Sequence, residues 1–117
     1  MKQKVHSVSY LAKAEFELKD GVYNLVALPT GAEVVKVSLE VVGRLIAGTV
    51  SVGFKDESQK NYFLVLDSSN QKATSAKDYT ATSNKVVVAE VKNANANDTK
   101  GVLRVLYFLP SVIEVEY

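Results

Sequence analysis

The stretch VSYLAKAEFEL, residues 8–18, decides the fold of this chain. Its even positions are apolar from Val8 to Leu18, whereas most of its odd positions are polar or charged. Alternation with a period of two places the apolar side chains on one face of a β-strand, and a helix would scatter them. The stretch therefore predicts a long strand with one buried face.

The same alternation continues along the chain and predicts about eight strands. Asp20-Gly21 tolerates a tight turn, so we expect the strand after it to return antiparallel beside the first. Residues 62–66 are wholly apolar, which favours a strand covered on both sides. The predicted strands are 8–18, 22–27, 35–41, 49–54, 62–66, 86–91, 102–109 and 112–117.

Short antiparallel strands separated by Gly, Pro and Asn favour one fold class, an all-β antiparallel sandwich that is jelly-roll-like. We expect residues 1–117 to form a single domain, with residues 1–7 as an arm. The polar stretch at 67–85 is long for a loop inside a compact domain, and such loops are commonly functional. We expect a partner to order part of it.

Charge, cysteine content and hydropathy exclude several classes of protein. The chain has 14 Lys and Arg against 13 Asp and Glu, with both signs mixed along its length, so we predict no nucleic-acid partner. It has no cysteine, hence no disulfide and no thiolate nucleophile. No apolar stretch is long enough to span a membrane as a helix. Polar residues interrupt residues 5–11, so we expect no signal peptide.

Candidate catalytic groups are sparse, and each has a simpler explanation. His6 is the one histidine of the chain, and no second group is visible to orient its ring. Glu114 and Glu116 share a strand face at a Cα separation of about 7 Å, which raises the possibility of a glycosidase. A solvated strand face explains that pair, and a polar loop explains Asp56 and Glu57. We predict no enzymatic activity and no cofactor.

Two polar runs carry oxygen ligands that calcium could use, at 67–70 and 93–98. Neither has the spacing of a calcium loop with its glycine and closing glutamate. Asn, Asp and Ser hydrogen-bond their own backbone in bends, which accounts for both runs. We therefore predict no bound metal.

Several short signals follow one another between residues 28 and 107. They are LPTGAEV (28–34), VSLEV (37–41), GTVSVGF (48–54), YFL (62–64) followed by Asp67, and GVLRVLY (101–107). In this order they resemble a group of small β-sandwich structural proteins of tailed bacteriophage particles, of the capsid decoration, cement or head-associated type. The resemblance implies a role on the phage head and no catalytic or ligand residue. The strand at 112–117 and the loop at 67–85 depart from that pattern.

Together these observations predict a capsid decoration (cement) protein that binds the outer surface of a phage head and stabilises it by bridging capsomers. Its expected partners are the major capsid protein and copies of itself, as a homotrimer. It would be made in the host cytoplasm and reside on the virion. Alternatives are a head fibre, neck or tail protein, and a carbohydrate-binding module.

We expect the contacts to involve the N-terminal segment, the C-terminal strand and the 67–85 loop, because free strands and termini add readily to a neighbouring sheet. The predicted interface residues are Val5, Val8, Tyr10, Leu11, Ile113, Val115 and Tyr117.

Overall fold

The computed structural model describes residues 2–43, 45, 47–94, 99–110 and 112–116. Within these ranges the chain forms eleven strands and one short 3₁₀ helix, Glu57–Gln59. The strands are β1 (Lys2–His6), β2 (Ser9–Glu17), β3 (Gly21–Leu28), β4 (Glu33–Val42), β5 (Thr49–Phe54), β6 (Leu64–Asp67), β7 (Lys72–Ser75), β8 (Tyr79–Thr80), β9 (Lys85–Lys92), β10 (Lys100–Phe108) and β11 (Val112–Glu116).

Two antiparallel sheets make the sandwich. The first sheet has the order β2-β10-β4-β7, with β8 also paired to β4, and the second has the order β3-β9-β5-β6. The chain crosses between the sheets from β2 to β3 and from β4 to β5, whereas β5 and β6 are neighbours in the second sheet. The prediction of an all-β sandwich is confirmed.

The core lies between the sheets and follows the alternation of the sequence. The first sheet contributes Val37, Leu39, Leu103 and Val105, and the second contributes Val50, Val52, Val87 and Ala89, all fully buried. Burying each large aliphatic side chain contributes about 1.5–3 kcal/mol, which offsets the ordering of the backbone. The outward positions are thereby left free for other contacts.

The prediction that residues 22–27 return beside the first strand is wrong. β2 pairs with β10, and β3 crosses to the second sheet and pairs with β9. Crossing at Asp20-Gly21 lets the two strands pack face to face, so that the ring centroids of Phe16 and Tyr23 lie 5.5 Å apart. Burial of both apolar faces therefore decides the partner, and the turn residues permit either outcome.

The polar stretch at 67–85 is ordered by the chain itself, which corrects the expectation that a partner is needed. β7 pairs with β4 between Glu40 and Val37, and β8 pairs with β4 at Glu33 and Val34. These strands have few apolar residues; backbone hydrogen bonds to β4 hold them, and Tyr79 packs against Phe54 with 4.4 Å between ring centroids.

The strand predicted at 62–66 is not covered on both sides. It runs from Leu64 to Asp67 as β6, at the edge of the second sheet, with Leu64 and Leu66 buried. Val65 points outward and is 52% exposed.

The alternation predicted for the strand at 35–41 also breaks at its start. A bulge in β4 turns Val34 inward, so Val35 points outward and is exposed.

β1 and β11 pair antiparallel with Val5 opposite Ile113, and we name this pair the terminal ribbon. Its two strands contact chiefly each other. The ribbon prolongs the β2–β10 ladder, because Leu109 N donates to Val8 O at 2.8 Å and His6 Nδ1 lies 3.1 Å from Leu109 O. The molecule measures 54 × 23 × 18 Å along its principal axes, so it is strongly elongated.

Candidate docking surface

The outer face of the first sheet, where β2, β10 and β4 lie side by side, carries exposed apolar side chains. Leu11 is 61% exposed, and it lies opposite Leu106 in the β2–β10 pairing. Leu106 in turn lies opposite Lys36 of β4. Leu106 is half-buried, so Leu11 and Leu106 form an adjacent apolar pair on the outer face, which makes this face a candidate for contact with another molecule.

Two shallow grooves lie on this face. One has a volume of about 260 Å³ and is lined by Leu11, Lys36, Ser38, Arg104 and Leu106. The other, of about 390 Å³, is lined by His6, Glu33, Val35 and Phe108. Both are open, so they suit a protruding side chain better than an enclosed small molecule.

Charges surround the apolar part of the face. Arg104 Nη1 donates to Glu40 Oε1 at 3.1 Å, and Arg104 lies directly opposite Lys13 in the pairing of β10 with β2. Lys13 and Lys36 form no ion pair within the described ranges. The face therefore carries positive charges beside its apolar groups, and no acidic side chain of the described residues neutralises Lys13 or Lys36.

β2 also presents a free sheet edge. Natural proteins protect such edges with short strands, bulges or charges, because an unpaired edge invites another strand. The other edge strands have such protection: β6 and β7 are four residues long, and β3 has a bulge between Asn24 and Val26. β2 is nine residues long and pairs with β10 in an unbroken register. Of the long edge strands described, β2 is thus the one suited to strand addition.

The predicted interface residues fall on this edge and on the ribbon. Val8, Tyr10 and Leu11 are 39%, 52% and 61% exposed, and Tyr10 packs edge-on against Tyr107 at 5.9 Å between ring centroids. Val5 is half-buried in β1. The backbone register pairs Ile113 with Val5 and Val115 with Gln3. Tyr117 lies outside the described residues. Their role in binding stays a prediction.

Sequence reasoning missed the groove residues Lys36, Ser38, Arg104 and Leu106. Residues 102–109 read as a strand with apolar residues on both faces, which hid the outward position of Leu106. Only the pairing of β10 with both β2 and β4 brings these residues together. The one available signal was Arg104, a charged residue inside an otherwise apolar strand.

Asp67 lies outside this surface and is engaged in a local turn. Asp67 Oδ1 accepts hydrogen bonds from Ser69 Oγ and from Ser69 N, the latter at 2.9 Å, and these bonds lower the pKa of Asp67. This is the turn chemistry expected for 67–70. In the part of the chain that is described, no three His, Asp, Glu or Cys side chains converge as metal ligands. None of the described helices has the length and apolarity to cross a membrane.

Glu90 on β9 forms ion pairs with two lysines, and its replacement shows how much these pairs stabilise the second sheet. Burial raises its pKa, but hydrogen bonds and charge from Lys60 and Lys92, at 3.3 and 3.4 Å, outweigh this effect and lower the pKa overall. Because the pKa of Glu90 is lower in the folded protein than in the unfolded chain, its ionised form stabilises the fold at pH values above the ordinary pKa of a glutamate. This stabilisation is lost as the pH falls through the pKa of Glu90 in the folded protein. Glu90→Gln should reduce the free energy of unfolding at neutral pH by about 0.5–1 kcal/mol.

Urea unfolding of both proteins across the acid range measures this difference, which should shrink as pH falls. Glu17→Gln is the matched control, because Glu17 pairs with Lys19 at 3.1 Å while its side chain remains 65% exposed. That variant should match the wild type at every pH. A constant deficit for Glu90→Gln from neutral to acidic pH would contradict the electrostatic explanation.

No protein-family model matches the chain, and no curated protein matches it. Among solved structures, a chain of the acidic stable capsid structure of Helicobacter pylori bacteriophage KHP30 is 75% identical, with 100% of both chains covered and a TM-score of 0.93. A chain of the cyanophage Pam1 capsid asymmetric unit is 22% identical, covers 87% of this chain and 85% of that chain, and has a TM-score of 0.68. The second likeness supports the fold alone.

A β-sandwich matched over its whole length to a chain of a phage capsid structure is a structural protein of a phage virion. This chain belongs to the same family as the KHP30 capsid chain. The resemblance to phage structural proteins seen in the sequence is thereby confirmed.

Proposed function

We propose that this chain is a capsid decoration protein, which binds the outer surface of the phage head and stabilises it by bridging subunits of the major capsid protein. The observation that carries the proposal is the full-length, 75% identity to a capsid chain. The exposed apolar face of the first sheet supports it, since a free sheet face of this kind gains stability when another protein covers it.

The terminal ribbon and the free edge of β2 supply the means of attachment. A two-stranded ribbon is at best marginally stable alone in water. Both of its strands, and β2, have an edge that no other described strand occupies. Strand addition to a neighbouring chain would satisfy these backbone groups and order the ribbon. We propose copies of this chain, closed as a homotrimer, and the major capsid protein as the neighbours.

A binding role also fits the chemistry of the described residues. Arg104 is paired with Glu40, Lys60 with Glu90, and Asp67 is held in a turn. His6 lies beside a backbone carbonyl, and no carboxylate of the described residues pairs with it. We therefore propose that the chain is not an enzyme. Repeated weak contacts around a symmetric shell would give strong attachment through avidity.

The test compares phage heads made with and without this chain. Purified protein added back to heads that lack it should occupy many symmetry-related positions in electron cryomicroscopy and should raise the temperature at which the heads release DNA. Density at a single vertex would instead make it a head fibre or neck protein, and density along the tail a tail protein. If the protein leaves the heads bare but binds a glycan array, the carbohydrate-binding alternative replaces the proposal.

A further inference from the structure

The smaller groove of the docking face is assembled from three strands. β2 supplies Leu11, β10 supplies Leu106 and Arg104, and β4 supplies Lys36 and Ser38. The cross-strand register sets Leu106 between Leu11 and Lys36, and Arg104 beside Ser38. The groove therefore has an apolar half next to a polar half that contains two cations.

The polar half has hydrogen-bond donors and no carboxylate. Arg104 gives one of its five N–H groups to Glu40, which leaves others available. Lys36 has no acidic partner among the described residues. Lys13 lies directly opposite Arg104 and adds a third positive charge. Two like charges in such positions repel each other and destabilise the sheet.

Ser38 adds a hydroxyl to the same site. It is 8% exposed, so it is more than nine-tenths buried, and it lines the groove. Across the ranges that the structure covers, its hydroxyl makes no hydrogen bond to the protein. Since no buried side-chain oxygen of the described residues lacks a partner, the Ser38 hydroxyl reaches the solvent in the groove rather than lying sealed in the core. A ligand oxygen in the groove could therefore accept a hydrogen bond from it in place of water.

We infer that this groove receives a carboxylate side chain, with an adjacent apolar residue, from the major capsid protein. The carboxylate accepts hydrogen bonds from Lys36, Arg104 and Ser38, and the apolar residue covers Leu11 and Leu106. Charge complementarity favours an acidic partner over a second copy of this chain, whose identical groove would bring like charges together. The inference rests on the proposed function and specifies the chemistry of its partner.

Lys36→Glu tests the inference. Lys36 lies at the β4 bulge and is exposed, so its replacement should preserve the fold, which the urea midpoint verifies. We expect its affinity for heads lacking this chain, measured by co-sedimentation, to fall at least about tenfold. The affinity should also depend less on salt, because a charge contact has been removed.

Lys55→Glu is the matched control, with the same charge change at an exposed position away from the groove. It should bind heads as the wild type does. Leu11→Ala should weaken binding about tenfold without changing the salt dependence, because it removes apolar contact only.

The outcomes separate the two proposals. If wild-type protein binds the heads and Lys36→Glu binds equally well, the carboxylate site is wrong while the decoration role stands. If wild-type protein does not bind the heads, the decoration role fails and the inference falls with it. If Lys36→Glu disrupts self-association of the purified protein and not its binding to heads, the groove joins copies of this chain, which also overturns the inference.

Discussion

Replacing Gly53 with alanine is expected to lower the free energy of unfolding by about 3 kcal/mol. Gly53 lies in β5 directly beneath the turn that leads to β6. An added Cβ would lie 2.6 Å from both the carbonyl carbon of Lys60 and the amide nitrogen of Tyr62, and would overlap the carbonyl oxygen of Gln59. These are backbone atoms, and the hydrogen bond from Phe63 N to Val52 O at 2.9 Å fixes the turn in place.

Gly101→Ala is the control for this prediction. Its added Cβ would meet the ring of Phe16, with the nearest ring carbon at 2.5 Å. A side chain can shift where a hydrogen-bonded backbone cannot, so we expect a loss of about 1 kcal/mol. Urea denaturation of both variants gives the comparison. A Gly53→Ala midpoint equal to that of the wild type would show that the turn yields to the methyl group.

Deleting residues 1–7 is expected to reduce binding to heads by about a hundredfold or more while changing the stability of the sandwich little. β1 contacts chiefly β11, so its loss leaves the core intact. If β1 adds to a neighbouring sheet, the deletion removes several hydrogen bonds, each contributing roughly 1 kcal/mol. Three or so such bonds correspond to about a hundredfold in affinity.

Two measurements distinguish attachment from folding in this experiment. Circular dichroism melting reports on the sandwich, and co-sedimentation with heads reports on attachment. A second variant that lacks residues 1–7 and 110–117 removes both ribbon strands, so that an unpaired β11 cannot cause aggregation. Val65→Ser, at the outward position of β6, controls for loss of exposed apolar surface elsewhere. Tight binding by the ribbonless protein would contradict a role for the ribbon.

The fold class was predictable because the alternation in residues 8–18 and in the later strands has a physical cause, the burial of one face. The choice of strand partners was not predictable in the same way. Asp20-Gly21 suits a hairpin and a crossover between sheets alike. β7 and β8 were not predicted because they lack an apolar alternation; pairing with the backbone of β4 and the packing of Tyr79 on Phe54 order them.

The docking surface was predictable only in part. The sequence pointed to Val8, Tyr10 and Leu11 because they belong to a long first strand that follows a polar N-terminal segment. All three side chains are exposed in the structure. The groove was hidden, because Leu11, Lys36 and Leu106 become neighbours only through pairing of strands distant in sequence. The bulge that turns Val35 outward has no signature in a run of valines.

The central position of β10 also governs when the protein can fold. β10 joins β2 to β4, so the first sheet cannot close until a strand some ninety residues downstream of β2 has been synthesised. Nascent chains would therefore wait with the apolar face of β2 uncovered until β10 has emerged. Production at low temperature, which slows association of such unfinished chains, should increase the yield of native protein.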